Sequence, residues 1–374
     1  MIFAILRSLA VFGLAASFAL AAEPIKIGHF ASLTGKDAAF GVATRKGVLL
    51  AVEEINAKGG VLGRQLEYHV EDIQSKQGES ATAVKKLISR EKVVVVLGGN
   101  PSANSLEAGP ICQNAKIPMM AISSTNPKVT EIGDQIFRIC FIDPFQGAVL
   151  AKFAKETLHA NRVALLTSVN SPYSVGLSSV MRDRFTALGG EIVAEQRHNE
   201  GDKDFRAQLT AIKAAKPDVI AATGFYSEAA LICKQARDLG LTIPVIGGDG
   251  WEAPQLVELG GPAVEGTYYC TYFSADNQEP VVQSFVQRYK KRWSNEVPEG
   301  VSALGYDAMY LIADAMKRAH VTSGPKLRDA IAATKDFSGV TGKTTIDENR
   351  NSAKTAVMLV VKHGRSEFFQ TVTP

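Results

Sequence analysis

Short apolar runs alternate with amphipathic stretches along almost the whole chain. Runs of strand length lie at residues 25–28, 66–70, 93–97 and 117–122, with helical stripes of apolar residues at 47–58 and 81–89. After Asp143-Pro144 the alternation resumes, with predicted strands at 162–167, 192–195, 219–222 and 243–246 and predicted helices at 175–188, 205–214 and 229–239. Further helices are predicted at 281–293 and 303–319, and paired strands at 355–361 and 368–372. Strands that alternate with helices favour parallel sheets, so the pattern predicts an α/β fold with two βα series.

Two neighbouring strands of the first series each end in small polar residues. The run 93–97 passes into Gly98-Gly99-Asn100-Pro101-Ser102, and the run 117–122 passes into Ser123-Ser124-Thr125. In open parallel sheets, ligands bind outside the carboxyl ends of the strands. Ser102 also falls where the next helix begins, so its hydroxyl and nearby free N–H groups form a small anion site. The unit is therefore predicted to hold a carboxylate-sized group by uncharged donors.

Length, charge and missing motifs limit the classes of function. The 374 residues suggest two domains. A net charge of +3, without a block of Lys and Arg interleaved with aromatic residues, argues against a nucleic-acid partner. The sequence has no G-x-S-x-G elbow, no G-x-G-x-x-G after the first strand and no metal-ligand spacing among its six histidines. We therefore expect no metal, no cofactor and no enzymatic activity, with an exported α/β enzyme as the alternative.

The first 21 residues have the features of a signal peptide. Arg7 is the only charged residue before Glu23, and residues 8–20 are apolar or small. Ala19-Leu20-Ala21 places small residues at the −3 and −1 positions of a signal-peptidase site. The uncharged stretch is shorter than the roughly 20 residues that span a membrane, although a retained anchor is the alternative. We predict a periplasmic protein that is cleaved near Ala21.

Four cysteines are compatible with an oxidising compartment. Cys112 and Cys140 fall in the first half of the chain, and Cys233 and Cys270 in the second. One interpretation is a disulfide in each domain, and the other is a set of buried free thiols. Both interpretations stay open at the level of the sequence.

Motifs that follow one another along nearly all of the mature chain resemble a known family. They are Glu-Ile-Asn-Ala-Lys-Gly-Gly-Val-Leu-Gly at 54–63, Ser-Ser-Thr-Asn-Pro at 123–127, Asp-Lys-Asp-Phe at 202–205, and the pairs Phe40-Gly41, Phe137-Arg138, Gln146-Gly147 and Glu265-Gly266. The set resembles the leucine/isoleucine/valine-binding proteins, which are type I periplasmic solute-binding proteins of ABC amino-acid transporters. The run at 54–63 is the strongest of these signals.

The resemblance implies an architecture of two lobes. They are Rossmann-like α/β units with mainly parallel sheets, hinged by three crossovers near residues 140–144, 270–275 and 341–345. The N-terminal lobe is expected to comprise residues 23–141 plus 273–342, and the C-terminal lobe residues 142–272 plus 343–374. The family also implies a monomer that closes on its ligand.

The resemblance further implies which residues bind the ligand. In the family, hydroxyls and backbone N–H groups of the first lobe hold an amino acid's carboxylate, and an acidic side chain of the second lobe meets its ammonium group. The matching positions are Ser102, Ser123 and Thr125 for the carboxylate and Asp249 for the ammonium group, and Ser124, between two of them, is a further candidate ligand contact. Helix capping by Ser102 and turn formation by Asp249 are the structural alternatives.

Aromatic positions match the cover and the side-chain end of the family's site. Tyr173 matches the residue that covers the ligand, Phe225 matches a pocket aromatic, and Phe40 and Tyr306 match positions at the side-chain end. Core packing is the alternative for each of these three kinds of position. Two further candidates are Asn100, whose amide is suited to a polar side chain, and Trp251, which fills either the pocket mouth or the core.

Together these residues predict the extracytoplasmic substrate-binding component of an ABC transporter. The expected ligand is an amino acid, with branched-chain or other aliphatic side chains first, delivered to a permease and its ATPase in the inner membrane. Two alternatives share the same fold. One is a periplasmic sensor that presents its closed form to a receptor, and the other is a binder of a different small carboxylate, such as an aromatic acid.

Overall fold

The apolar runs of the first series form a five-stranded sheet in the computed structural model, which describes residues 22–373. Its strands are β1 (Ile25–Ala31), β2 (Leu66–Asp72), β3 (Val95–Gly98), β4 (Met119–Ala121) and β5 (Ile136–Arg138). All pairings are parallel, in the order β2-β1-β3-β4-β5. Every residue of β3 is buried, which is typical of a parallel sheet covered on both faces. The predicted signal peptide, residues 1–21, lies outside the described residues.

The second series forms a seven-stranded sheet. The remaining strands are β6 (Arg162–Ser168), β7 (Glu191–His198), β8 (Val219–Ala222), β9 (Val245–Gly247), β10 (Tyr268–Thr271), β11 (Phe337–Gly339), β12 (Gly342–Thr344), β13 (Ala356–Lys362) and β14 (Arg365–Val372). The order in the sheet is β14-β13-β10-β9-β8-β6-β7, and β11 and β12 form a separate hairpin. Pairing is parallel from β10 to β7 and antiparallel from β10 through β13 to β14. The predicted pairing of the last two strands is confirmed.

Helices connect the strands on both sheets. Within residues 22–373 they are α1 (Ala38–Ala57), α2 (Glu79–Lys86), α3 (Ser102–Ala115), α4 (Lys128–Glu131), α5 (Asp143–Lys152), α6 (Pro172–Ala187), α7 (Arg206–Ala215), α8 (Tyr226–Asp238), α9 (Pro254–Gly260), α10 (Pro280–Arg292), α11 (Gly300–Ala319) and α12 (Pro325–Ala332). A short 3-10 turn, Asp249–Trp251, follows β9. In this part of the chain, no helix has both the length and the apolar character of a membrane span.

Helix α1 begins nine residues before the predicted start at residue 47. Two glycines in it are needed for close packing, and they hide the early part of the helix from a sequence pattern. A Cβ at Gly47 would lie 1.9 Å from the carbonyl oxygen of Ser302 in α11, and one at Gly41 would lie 2.0 Å from that of Ser32. Glycine lowers intrinsic helix propensity, so the local pattern underestimates this helix. Tertiary packing against α11 compensates for that weakness.

The chain passes from one sheet to the other after β5 and again after β10. Phe141 and Tyr272 lie at these two passages, and their ring centroids are 4.1 Å apart. We call the first sheet with α1–α4, α10 and α11 the first side of the molecule, and the second sheet with α5–α9 the second side. The prediction of an α/β fold with mainly parallel sheets is confirmed, and the lobe boundaries stay a prediction.

All four cysteines lie within the described residues, and all are buried free thiols. Burial raises the pKa of the Cys140 and Cys233 thiols to about 12. Of the two interpretations left open by the sequence, the structure therefore supports the one without disulfides.

Candidate functional site

A cavity of about 290 Å³ lies between the two sides, among loops that follow strands of both sheets. Seven of the ten predicted site residues line the cavity, together with Pro101, Gly250 and Val301: Phe40, Asn100, Ser102, Ser123, Tyr173, Phe225 and Asp249. The structure therefore brings seven of the ten predicted residues together around one cavity, and their role as ligand contacts stays a prediction.

The wall on the first side is polar and uncharged. Ser102 is the first residue of α3, and its Oγ accepts a hydrogen bond from the Asn126 N–H at 3.3 Å rather than capping its own helix. Asn100 Nδ2 donates to Ser123 Oγ. These side chains and the N-terminus of α3 together offer a carboxylate several neutral donors.

Thr125 lies just behind this wall. Its Oγ1 is buried and has no hydrogen-bond partner among the described residues, although its carbonyl oxygen accepts from the Asp143 N–H at 2.9 Å. Asp143 is its neighbour: burial raises the pKa of the Asp143 carboxyl group to about 8, and an interaction with the Thr125 hydroxyl acts in the opposite direction. A buried hydroxyl without a partner is costly, so Thr125 is suited to a ligand that completes its bonding.

Ser124 has a structural role instead of the predicted one. Its Oγ donates to the carbonyl oxygen of Gly99 at 2.5 Å and lies 2.8 Å from Ser105 Oγ. The side chain is completely buried within this loop, away from the cavity that its neighbour Ser123 lines. The structure therefore does not bring Ser124 to the cavity, because its hydroxyl forms hydrogen bonds within the loop.

Tyr306 is also separated from the cavity. Its hydroxyl donates to Glu54 on α1 at 2.7 Å and accepts from Arg288 on α10 at 3.0 Å. Val301 lines the cavity from the first turn of α11, and Tyr306 follows five residues later, more than a third of a helical turn away around the axis. The structure therefore does not bring Tyr306 to the cavity, and Val301 is the residue of α11 that lines it.

The wall on the second side carries one acidic group. Asp249 begins the turn after β9, and only 5% of its surface is exposed. Gln146 Nε2 donates to Asp249 Oδ1 at 2.9 Å, and the Tyr272 hydroxyl donates to Oδ2. Burial raises the pKa of Asp249, and these hydrogen bonds act in the opposite direction. Among the residues described, Asp249 forms no salt bridge, so a cationic ligand group would supply its missing counter-ion.

Aromatic rings cover the cavity from both sides. Tyr173 stacks on Phe225 with ring centroids 5.2 Å apart, and Phe40 meets Phe225 edge to face at 6.0 Å. The Tyr226 hydroxyl donates to the carbonyl oxygen of Lys36 at 2.6 Å across the cleft. The two sides are therefore in direct contact, and the cleft is closed.

The Gly247-Gly248-Asp249-Gly250 motif has a packing explanation. A Cβ at Gly247 would lie 2.2 Å from the Trp251 ring. Trp251 is fully buried and donates through Nε1 to the carbonyl oxygen of Ala222 at 3.1 Å. Of its two predicted places, Trp251 therefore occupies the core beneath the turn and not the mouth of the cavity.

Three contributors to the site were not assigned to it from the sequence. Gln146 was noted only as part of a family motif, Tyr272 only by its place in a crossover, and Val301 lies just before the predicted helix 303–319. No local pattern distinguishes such residues, since a buried glutamine or tyrosine gains its partner from a distant loop. Their roles become visible only when α5, β9 and β10 are placed side by side.

Comparisons with known proteins agree with this fold. The periplasmic binding protein family model matches residues 24–364. The leucine-, isoleucine-, valine-, threonine-, and alanine-binding protein of Pseudomonas aeruginosa is 30% identical over 335 residues, covering 89% of this chain and 88% of that protein. The chain therefore belongs to the periplasmic binding protein family, and the resemblance seen in its motifs is confirmed.

Two solved structures are similar over nearly the whole fold. The leucine binding protein LivK of Thermotoga maritima has 40% sequence identity and a TM-score of 0.89, covering 94% of this chain and 99% of that chain. The branched-chain amino acid transporter substrate binding protein LivJ of Streptococcus pneumoniae, in complex with isoleucine, has 35% identity and a TM-score of 0.89, covering 94% and 100%. These relatives are solute-binding proteins with the same arrangement of sheets.

Proposed function

We propose that this protein is the extracytoplasmic substrate-binding component of an ABC transporter for a small α-amino acid. The observation that supports the proposal is the pairing of unlike walls across one small cavity. A buried carboxylate without a counter-ion among the described residues, Asp249, faces a wall of neutral donors. A zwitterion satisfies both walls at once, which neither a plain carboxylate nor a plain amine can do.

The carboxylate of the ligand is assigned to the first side. Ser102 and Ser123 line the cavity, and Thr125 offers an unpartnered buried hydroxyl close behind them. Neutral donors suit a closed cleft because burying a second ion pair would carry a large desolvation penalty. The N-terminus of α3 adds a favourable dipole at the same point.

The ammonium group of the ligand is assigned to Asp249, and its side chain to the apolar part of the cavity. Phe40, Phe225 and Val301 provide that apolar lining, and no Lys or Arg of the described residues lines the cavity. An aliphatic side chain fits this surface better than a charged one. The names of the relatives, which include leucine, isoleucine and valine, favour branched-chain amino acids.

Ligand binding would favour the closed cleft because the ligand contacts both sides only when they meet. Direct contacts such as Asn126 Nδ2 to the Pro172 carbonyl oxygen, at 2.8 Å, join the sides in that state. In this proposal the moving units are the lobes 23–141 plus 273–342 and 142–272 plus 343–374. The protein would act as a periplasmic monomer after cleavage near Ala21 and pass its ligand to a permease with its ATPase.

Isothermal titration calorimetry of residues 22–374 tests the proposal. The probes are L-leucine, L-isoleucine, L-valine, L-alanine, L-threonine and benzoate. We expect the branched-chain amino acids to bind most tightly and to be recovered unaltered by mass spectrometry, as a binding protein requires. Binding of benzoate without binding of any amino acid would overturn the proposal, and chemical conversion of a probe would indicate an enzyme.

A further inference from the structure

We propose that Gln146 and Tyr272 are positioning residues that aim the Asp249 carboxylate at the ligand's ammonium group. This inference rests on the proposed function and extends it to residues outside the cavity wall. Both residues are almost completely buried, and neither lines the cavity. They act on the ligand only through Asp249.

Gln146 holds both the backbone and the side chain of Asp249. Its Nε2 donates to Asp249 Oδ1 at 2.9 Å, and its Oε1 accepts from the Asp249 N–H at 2.7 Å. The Gln146 carboxamide thus forms two hydrogen bonds with a single residue of the turn, which close a hydrogen-bonded ring. This arrangement fixes the turn relative to α5 and restricts rotation of the carboxylate.

Tyr272 completes the restraint from another element. Its hydroxyl donates to Asp249 Oδ2, so that each carboxylate oxygen has one fixed donor. The Tyr272 ring is itself held by Phe141, with an interplanar angle of 34°. The plane of the carboxylate is therefore set by two donors on different elements, and its remaining lone pairs are free for a cation.

The restraint does not depend on the closed cleft. Gln146 lies in α5 and Asp249 follows β9, both on the second side of the molecule, while Tyr272 directly follows β10 at the passage to the first side. Bonds within one side can persist while the two sides separate. The acidic group is therefore oriented before the ligand arrives, which reduces the ordering that binding requires.

Packing at Gly248 supports this arrangement. A Cβ at position 248 would lie 2.4 Å from both Gln146 Oε1 and the Tyr173 hydroxyl. The backbone dihedral angles of Gly248, φ −94° and ψ −167°, lie in the extended region and do not themselves require glycine. Glycine at this position is thus explained by the space that Gln146 occupies beside Asp249.

The two donors also oppose protonation of Asp249. Burial raises the pKa of this carboxyl group, and hydrogen bonds from Tyr272 and Gln146, with a smaller one from Tyr173, lower it. The titratable groups that face it from the surrounding elements are Asp143, Glu252, Tyr173, Tyr272, Cys140 and Cys270. None of these is a cation, so the fixed donors are the main local support for the charged form.

The test measures the affinity for L-leucine by calorimetry at pH 6.0 and pH 8.5. Tyr272→Phe keeps the ring on Phe141 and removes only the hydroxyl, so the pKa of Asp249 should rise. We expect a loss of affinity of about tenfold at pH 6.0 and a clearly smaller loss at pH 8.5, where the carboxyl group remains ionised. Gln146→Met should show the same dependence on pH.

Tyr289→Phe is the matched control, because it removes a buried hydroxyl that pairs with Ser302 at 3.1 Å on the first side. It should leave the affinity unchanged at both pH values. Equal losses at the two pH values for Tyr272→Phe and Gln146→Met, or no loss, would overturn the positioning role. If the wild-type protein bound no amino acid, the proposed function itself would be refuted. That result needs no variant, so it is distinct from a failure of the positioning role.

Discussion

Glu252 and Gly300 lie on opposite sides of the cleft and are joined directly, since the Gly300 N–H donates to Glu252 Oε1 at 2.6 Å. Gly300 is the first residue of α11, so the carboxyl group occupies the N-terminus of a 20-residue helix. Its other oxygen accepts from the Thr271 hydroxyl. A Cβ at position 300 would lie 2.6 Å from Glu252 Oε2, so glycine leaves room for this contact. Because Glu252 is titratable, this contact makes the stability of the closed cleft depend on pH.

Burial raises the pKa of Glu252 to about 8 from its usual value of 4.5. A carboxyl group with a raised pKa takes up a proton in the closed, folded state. Its contribution to the free energy of unfolding is therefore complete below about pH 4.5 and is lost as the pH rises through about 8. Glu252→Gln keeps an acceptor for Gly300 and cannot ionise. We expect this variant to match the wild type most closely at pH 5 and to be more stable than it at pH 8.5.

Urea unfolding in saturating L-leucine, which keeps the cleft closed, measures this difference at both pH values. Other buried carboxyl groups with a raised pKa, such as Asp143, are present in both proteins and do not affect the comparison. Unfolding free energies that differ by a constant amount from pH 5 to pH 8.5 would show that Glu252 does not titrate in this way.

Ser123 and Ser124 are adjacent in sequence and should respond to substitution in opposite ways. Ser123 lines the cavity, so Ser123→Ala should weaken L-leucine binding by about fivefold, the effect of losing one neutral hydrogen bond. Ser124→Ala removes the bond to the Gly99 carbonyl oxygen and should lower the free energy of unfolding by about 1 kcal/mol. Calorimetry and urea unfolding of both variants test this separation. A larger loss of affinity for Ser124→Ala than for Ser123→Ala would contradict it.

The pattern of apolar runs was sufficient to predict most strands and both series, because each element is defined by its own periodicity. It was less informative where a residue's partner is remote in sequence. Gly47 weakens the local helix signal of α1, and its role is explained only by its close contact with Ser302 in α11. Likewise, Ser123 and Ser124 have the same side chain, and only the hydrogen bond from Ser124 to the Gly99 carbonyl oxygen distinguishes them.

The same limit applies to the candidate site. Residues at the ends of strands were identified because parallel sheets place them together, whereas the phase of α11 could not be fixed from its sequence. That helix is apolar on much of its surface and is buried at 15 of its positions. A single residue of its first turn, Val301, reaches the cavity, and choosing it requires the packing of α11 on α1.

Tyr306→Phe tests whether Tyr306 lies outside the ligand site. The variant removes the hydroxyl that bonds with Glu54 and Arg288, so the free energy of unfolding should fall by about 1 kcal/mol. Its affinity for L-leucine should be that of the wild type. Val301→Phe, in the same helix, should fill part of the cavity and weaken L-leucine binding more than L-alanine binding. Calorimetry with both amino acids distinguishes the two positions, and a loss of affinity in Tyr306→Phe would return that residue to the site.

Asp249→Asn is the most direct test of the acidic wall. Removing one member of a buried ion pair destabilises the complex by about 3–5 kcal/mol, so L-leucine should bind at least about a hundredfold more weakly. Asn is nearly the same size as Asp, so the shape of the cavity is retained. The matched control is Asp204→Asn, since the Asp204 side chain is 67% exposed and pairs only with Arg206 at the surface. The control should bind L-leucine as the wild type does.

A second ligand separates the charge of Asp249 from its shape. 4-Methylpentanoate is leucine without its amino group, and in the wild-type cavity its carboxylate would leave Asp249 without a counter-ion. The uncharged carboxamide of the Asp249→Asn variant removes that penalty, so the variant should bind 4-methylpentanoate at least as well as the wild type while losing L-leucine. Calorimetric titration of both ligands into both proteins measures this reversal. If the substitution weakened the two ligands equally, Asp249 would serve the fold of the turn and not the recognition of an ammonium group.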